Sequence, residues 1–196
     1  MSFTCPEEDV LGNRGPDICL KEIKGIQYFN YRNKIRFFAS IGFSFNGSHA
    51  DVGNNGFVLM QYNGSHWDLV DFFEFQAIDE MQFGNAMNIN SIGVLGKNSV
   101  GFFHKLCYTA AGEGPFCSMI LIGTNEDHIG LFLYEASGSD ESYGMNKKGY
   151  ENVYSIVETT DEWNDLIRIR RDFRSNSKVK SVLRFNSNNL KFVQVK

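Results

Sequence analysis

Proline is scarce in this chain of 196 residues: 3 prolines stand against 19 glycines and 18 phenylalanines. Leucine-rich helical runs are also lacking, so strands separated by glycine turns are the expected local structure. No run of about 18 apolar residues occurs, which leaves no helix able to span a membrane. The net charge is −4, and a chain with no basic excess is a poor nucleic-acid binder, so nucleic acid is not expected as a partner. H-E-x-x-H, H-x-H and G-x-S-x-G patterns are missing, as is a glycine-rich phosphate loop ahead of a helix. No cysteine pair has the C-x2-4-C spacing of a zinc site. No catalytic set, metal or cofactor is therefore expected. The opening residues Met1-Ser2-Phe3-Thr4-Cys5 lack the basic and apolar stretches of a secretory leader. Two readings fit: a cytoplasmic protein, or one whose leader has been removed.

What the chain does have is a repeated turn. Tyr62-Asn63-Gly64-Ser65-His66-Trp67-Asp68-Leu69-Val70 shares its wording with Phe45-Asn46-Gly47-Ser48-His49-Ala50-Asp51-Val52. A looser copy closes the chain, from Phe185-Asn186-Ser187 to Phe192-Val193. Asn-Gly supplies the positive φ angles of a type I′ hairpin turn. Over 34–45 the residues alternate, with Ile35, Phe37, Ala39, Ile41, Phe43 and Phe45 on one face and Lys34, Arg36, Ser40 and Ser44 on the other. Phe38 and Gly42 break the polar face and mark a bulge or partial burial. In the hairpin 57–62 and 66–75, Trp67, Leu69 and Phe73 are expected on one side. Further strands are expected at 25–31, 91–95, 99–108, 117–123, 128–136, 151–159, 164–170, 178–185 and 190–195. Helix is confined to one turn at 17–23 and a short piece within 76–90. Asp51-Val52-Gly53-Asn54-Asn55-Gly56 partly matches a calcium loop, but Tyr62 stands where the twelfth-position Glu belongs, so it reads as a turn. The fold class is all-β: a mainly antiparallel sandwich or propeller-like meander of about ten or more strands. Residues 1–24 form an irregular lead-in, and 25–196 a single β domain.

The four cysteines fall into local pairs, Cys5 with Cys19 and Cys107 with Cys117. Three connectivities exist, and local pairing is the one adopted; it implies an oxidising compartment, periplasmic or extracellular. A Cys107–Cys117 bond would contribute about 3 kcal/mol in the chain-entropy model. It would also present Tyr108, Glu113 and Phe116 on a preorganised loop. Asp140, Glu141 and Tyr143 occupy the longest polar segment, a second loop. Loops on a rigid β scaffold lose little entropy on binding, so these six residues are the candidate binding set. The histidines, His49, His66, His104 and His128, belong to turns or strands and are read as non-catalytic. Arg168, Arg170, Arg171, Arg174, Lys178, Lys180 and Arg184 cluster late in the chain, where alternating strands explain them as solvent-facing positions. Asn46-Gly47-Ser48 and Asn63-Gly64-Ser65 match the N-glycosylation sequon, though turn chemistry already accounts for them.

The segment Asp165-Leu166-Ile167-Arg168-Ile169, followed by Val182-Leu183-Arg184-Phe185-Asn186 and Phe192, resembles the closing block of bacterial periplasmic β-rich proteins. In these a D-L-x-V strand precedes Y-R-F-D-G-x-x-Y. It is similar in texture to single blades of FG-GAP-like repeats. Asn186-Ser187 departs from the usual Asp-Gly, and no calcium-binding Asp cluster accompanies it. Several such proteins are immunity proteins or inhibitors. The resemblance therefore implies a non-catalytic protein that neutralises a toxin or cell-wall hydrolase through a constrained loop. Two other classes are open: a hydrolase using loop carboxylates such as Asp161-Glu162, and a carbohydrate or cell-surface recognition module displaying Trp67 or Trp163.

Overall fold

The computed structural model describes residues 18–45, 55–75, 89, 91–109, 115–140 and 149–195. Among the described residues every regular element is a strand, and all pairing is antiparallel. The twelve strands are β1 (Ile18–Tyr31), β2 (Lys34–Phe45), β3 (Asn55–Tyr62), β4 (Trp67–Phe75), β5 (Gly93–Gly96), β6 (Ser99–Thr109), β7 (Pro115–Asn125), β8 (His128–Asp140), β9 (Gly149–Val157), β10 (Asp165–Asp172), β11 (Lys178–Asn186) and β12 (Lys191–Gln194). They follow one another as meanders. One sheet holds β1 to β4 in order, and a second holds β5 to β12 in order. The all-β expectation is met, and the strands follow the alternating segments of the sequence. Contacts divide the chain into two compact units. The first is 1–92 with Asp127–Ile129, and the second is 93–126 with 130–196.

In the first unit the sheet is twisted by irregularities that the alternation did not place. From Ile18 onward the helical turn expected at 17–23 is strand instead, because Ile18 pairs with Phe45 and the ladder runs on to Tyr31. Ladder hydrogen bonds along all of β2 override a local preference. Register shifts interrupt β1 between Leu20 and Glu22 and between Lys24 and Gln27. The second surrounds Gly25, at φ +62°, where a Cβ would lie 2.4 Å from the Ile89 nitrogen. Glycine is therefore required there. Gln27 Nε2 donates to the Ile89 carbonyl at 2.8 Å. The rest of the expected helix within 76–90 lies outside the described residues.

Period two in β2 is correct, but its polar face is inside, and Ala39 and Ile41 of the apolar face are buried as well. Phe38 and Ser40 are buried, and so is Arg36, which is 4% exposed. Arg36 is sustained by partners on every side. Nε and Nη2 donate to Gln61 Oε1 at 3.0 and 2.9 Å, Nη2 donates to Asp127 at 2.5 Å, and the guanidinium lies 3.8 Å from the Tyr31 ring centroid. A buried charge without such partners would cost several kcal/mol or more. Phe38 stacks on Phe57 with ring planes 6° apart. The register shift at Leu59/Met60 leaves Val70 as an extra residue on β4. That extra residue moves Phe73 off the side of Trp67 and Leu69 and opposite Phe57, correcting the expected grouping.

The second unit is built from two four-strand meanders, β5–β8 and β9–β12. They are joined where Gly138–Asp140 of β8 pairs with Gly149–Glu151 of β9. Leu95, Leu121, Phe132, Leu133, Leu166, Leu183 and Phe192 form its core. Trp163 stacks on Phe185 at 3.5 Å, and Phe132 meets both rings edge-on. Trp163 is thus a packing residue and not a surface platform.

The short strand β5 would end the sheet with an open edge, but the β9–β10 connection closes on it. Lys97 N donates to the Glu162 carbonyl at 3.0 Å and Asn164 N to the Leu95 carbonyl at 2.8 Å. The Asn164 side chain completes the tie: Nδ2 donates to the Val94 carbonyl at 2.9 Å and Oδ1 accepts from Thr159 N at 3.1 Å. The approach is close enough that a Cβ on Gly96 would lie 2.5 Å from the Glu162 oxygen. Asn164 is buried, and removing its amide orphans two backbone groups. Asn164→Ala is expected to cost about 3 kcal/mol, measured by urea denaturation against the parent chain. A loss under about 0.5 kcal/mol would refute the tie, since that is the range of an ordinary surface change.

Candidate functional site

The side of the first sheet away from Phe38 and Phe57 carries an exposed apolar cluster. The ladder sets Tyr28 opposite Phe37, Phe37 opposite Met60, Met60 opposite Leu69 and Tyr62 opposite Trp67. Side chains from all four strands therefore meet on one face. Phe37 and Trp67 ring centroids lie 4.8 Å apart, Tyr62 and Trp67 5.3 Å, Tyr28 and Phe37 5.8 Å, and Tyr28 and Trp67 6.0 Å. These are tilted and edge-on contacts of ordinary aromatic geometry. The cluster stays in contact with solvent: Tyr28 is 63% exposed, Leu69 61% and Ile35 48%. Isolated exposed apolar residues mean little, but a contiguous group of this kind marks an interaction surface.

The repeated Asn-Gly turn borders this cluster. Its connection is four residues long, Asn63 to His66. Only Gly64 has positive φ, at +100°, so it is not the type I′ turn expected. That geometry instead occurs at Arg32-Asn33, with φ of 47° and 63°. Asn63 organises the turn. Oδ1 accepts from Ser65 N, Ser65 Oγ and His66 N, and Nδ2 reaches His66 Nε2 at 2.8 Å and Asp68 Oδ2 at 3.0 Å. Ser65 Oγ lies 3.0 Å from His66 Nδ1, and His66 Nε2 lies 3.0 Å from Asp68 Oδ1. The Ser–His–Asp sequence of a nucleophilic triad is present, but with the ring nitrogens exchanged, since in a triad the hydroxyl bonds Nε2 and the carboxylate Nδ1. It sits on an exposed hairpin tip, and no wall of the described structure desolvates it as such chemistry requires. The Asn63 amide nitrogen is already engaged, so the sequon reads as turn chemistry.

The loop-based candidates are placed only at their bases. Tyr108 is the ladder partner of Phe116, and Cys107 of Cys117; pairing runs on to Thr109 and Pro115. Asp140 pairs through its backbone with Gly149. Glu113, Glu141 and Tyr143 lie outside the described residues, as do Cys5 and His49. Cys19 is the ladder partner of Ser44. In a meander alternate connections share an end, so the β6–β7, β8–β9 and β10–β11 connections emerge together from the second sheet. The bases of both predicted loops are thus brought to one end.

Comparison with protein-family models, curated proteins and solved structures finds no match to this chain.

The titratable groups of the second unit centre on Arg168. Its Nη1 donates to Glu135 at 2.5 Å and its Nη2 to Gln194 at 2.6 Å. The Tyr154 hydroxyl is buried beside Glu135 and Asn152 and makes no hydrogen bond of normal geometry. Burial, and then the Glu135 charge, push it well above the usual phenol range, with Arg168 and Asn152 opposing. Tyr154 therefore stays protonated and is no base. His104, half-buried in β6, is held below the usual imidazole range by burial, so it stands neutral as a packing residue. His128 is exposed, 3.8 Å from Asp71. Among the described residues no three of His, Cys, Asp and Glu gather as a metal site would require. Asp161 and Glu162 are exposed on the β9–β10 connection.

Asp172 caps the β10–β11 turn, accepting from Arg174 N, Ser175 N and Ser175 Oγ at 2.8 to 3.0 Å. The Ser175 hydrogen bonds hold its carboxyl below the usual range. A depressed folded pKa contributes stability above the unfolded value that disappears as pH falls through the folded one. Carboxyl NMR titration is expected to give Asp172 a midpoint below that of an unfolded aspartate. A midpoint at or above that value would remove the capping role.

Proposed function

We propose that this chain is a non-catalytic binding protein acting in the periplasm or outside the cell. On this reading it recognises a protein partner, in the manner of immunity proteins and inhibitors that neutralise a toxin or a cell-wall hydrolase. The observation that carries the reading is the Tyr28, Phe37, Tyr62 and Trp67 cluster with exposed Ile35 and Leu69. Tryptophan and tyrosine anchors dominate the binding energy of protein interfaces, and the surrounding aliphatics favour a protein over a sugar. The resemblance of the closing block to periplasmic proteins of this type supports the same class. The predicted loops, whose bases share one end of the second sheet, supply further contacts.

One observation favours a second reading, carbohydrate recognition. Trp67 is flanked by the hydrogen-bonding side chains of Asn63, His66 and Asp68. That is an aromatic platform with a polar fringe, suited to a ring with one apolar face. Trp67→Ala separates the readings. Against a protein partner captured from the source organism, the variant is expected to weaken Kd about 30-fold, in line with a hot-spot tryptophan. An unchanged Kd would remove this face from the interface. Saturable, Trp67-dependent binding of soluble cell-wall polysaccharide, with no protein partner, would establish the second reading instead.

The compartment rests on the cysteines. Direct ladder partners lie within the Cα separation that a disulfide spans, so a Cys107–Cys117 bond is part of the proposal. The natively produced protein is expected to resist alkylation at both residues until reduced. Rapid labelling of both without reductant would return the chain to the cytoplasm.

A further inference from the structure

Asn-Gly pairs occur at 46–47, 55–56 and 63–64. Such a pair can close on itself. The glycine nitrogen, with no Cβ beside it, attacks the side-chain carbon of the asparagine. The first pair lies outside the described residues, and the other two meet opposite surroundings. Asn55 and Gly56 belong to β3, where they pair with Gly42 and Ile41 of β2 and with Phe75 and Glu74 of β4. Gly56 is buried. Two ladders fix that backbone, and closing a ring there would break both. Asn63 and Gly64 instead stand exposed at the tip of the β3–β4 hairpin. A Cβ on Gly64 would meet nothing within 4 Å.

The turn at Asn63 is arranged for this reaction. Ser65 N donates to Asn63 Oδ1 at 3.0 Å, closing a ring of atoms that contains both the Asn63 side-chain carbon and the Gly64 nitrogen. The two atoms to be joined are thus held within one short loop. Oδ1 also accepts from Ser65 Oγ and from His66 N, each at 3.1 Å. Attack on the side-chain carbon turns that oxygen into an oxyanion, and its donors already face it. The leaving nitrogen, Nδ2, lies 2.8 Å from His66 Nε2, a ring nitrogen suited to passing it a proton. Among the described residues nothing engages the Gly64 N–H, while the Gly64 carbonyl accepts from the Tyr62 hydroxyl at 2.8 Å.

We propose that Asn63 is a self-modification site, which the folded turn converts to aspartate and isoaspartate through a cyclic imide with Gly64. The Gly64 nitrogen gives its proton to hydroxide and bonds to the Asn63 side-chain carbon. The bond from that carbon to Nδ2 then breaks, and Nδ2 takes up a proton and leaves as ammonia. Water opens the imide at either carbonyl. Opening at the side-chain carbonyl gives aspartate, and opening at the main-chain carbonyl gives isoaspartate. A water is consumed, an ammonia is released and nothing is oxidised. Either product loses the Nδ2 donor that reaches Asp68 Oδ2 at 3.0 Å and gains a carboxylate, so attraction across the turn becomes repulsion. Isoaspartate also lengthens the backbone of the turn that sets Tyr62 opposite Trp67. The inference concerns the chemistry of the turn itself and does not rest on the partner proposed for the neighbouring aromatic face.

The test incubates the whole folded chain and the peptide acetyl-Gln-Tyr-Asn-Gly-Ser-His-Trp-Asp-amide in the same mildly alkaline buffer. Peptide mapping by mass spectrometry reads the exchange of NH2 for OH at each asparagine, and chromatographic separation of the two linkages reads the isoaspartate share. Residue 63 is expected to convert about tenfold faster in the chain than in the peptide, because only the folded turn holds the reacting atoms and the oxyanion donors in place. Aspartate and isoaspartate are both expected, as opening of an imide requires. Asn55 of the same chain is expected to stay intact under its two ladders. Any of three results overturns the proposal: a rate in the chain no higher than in the peptide, aspartate as the sole product, or conversion of Asn55 as fast as that of Asn63.

Discussion

The second unit depends on the amide of Asn164. A four-residue strand such as β5 has little pairing energy of its own, and at the end of a sheet it would leave a row of peptide groups to solvent. Asn164 resolves this by bonding through its backbone to Leu95 and through its side chain to Val94 and Thr159. The β9–β10 connection is thereby held against β5, and Gly96 lets the two backbones approach. The same connection carries Trp163 into the core, where it stacks on Phe185 beside Phe132 and Phe192. One polar side chain thus fixes the edge of the sheet and the seat of its largest aromatic residue.

The first unit meets the opposite problem, a charge inside and apolar rings outside. Arg36 is tolerated in the interior because Gln61, Asp127 and Tyr31 surround its guanidinium. With the inner face filled by Phe38, Phe57, Leu59 and Arg36, the aromatics at the Tyr28 and Trp67 end of the sheet turn to the other side. A chain that keeps such a cluster in contact with water forgoes the stabilisation its burial would bring. Recognition of a partner is the use proposed for it. The aromatic face and the loop bases of the second sheet are both surface features.

The strand pattern was legible to a high degree, because a period of two follows from backbone geometry alone. The bounds expected for β2 coincide with those observed, and each of the other expected strands has a counterpart. The candidate surface was legible only in its parts. Ile35, Phe37, Trp67 and Leu69 were recognisable as sharing sides of their strands. Alternation, however, separates two faces without saying which is buried, and an apolar face is taken as the inner one by default. Phe38 was the available signal to the contrary, since a bulky apolar residue on the polar face implies burial there. The expected grouping of Phe73 with Trp67 failed for a related reason. One extra residue at Val70 exchanges the faces beyond it, and Val70 has nothing in its chemistry that announces a bulge.

The amino-acid sequence by itself determined the all-β class, the antiparallel meander and the hairpin spacing. These depend on period and turn chemistry within a few residues, which any local stretch records. Tertiary structure alone decided that the polar face of β2 is buried, where β1 and β4 bulge, and that β5 is stapled by a side chain 70 residues away. It also paired Arg168, one of the late cations, with Glu135. Each of these depends on a neighbour distant in the chain: Asp127 for Arg36, Ile89 for Gly25 and Glu135 for Arg168. The Asn-Gly-Ser-His wording shows the division at a single site. Its residues specified a turn, whereas its position beside an exposed tryptophan came from the register of four strands.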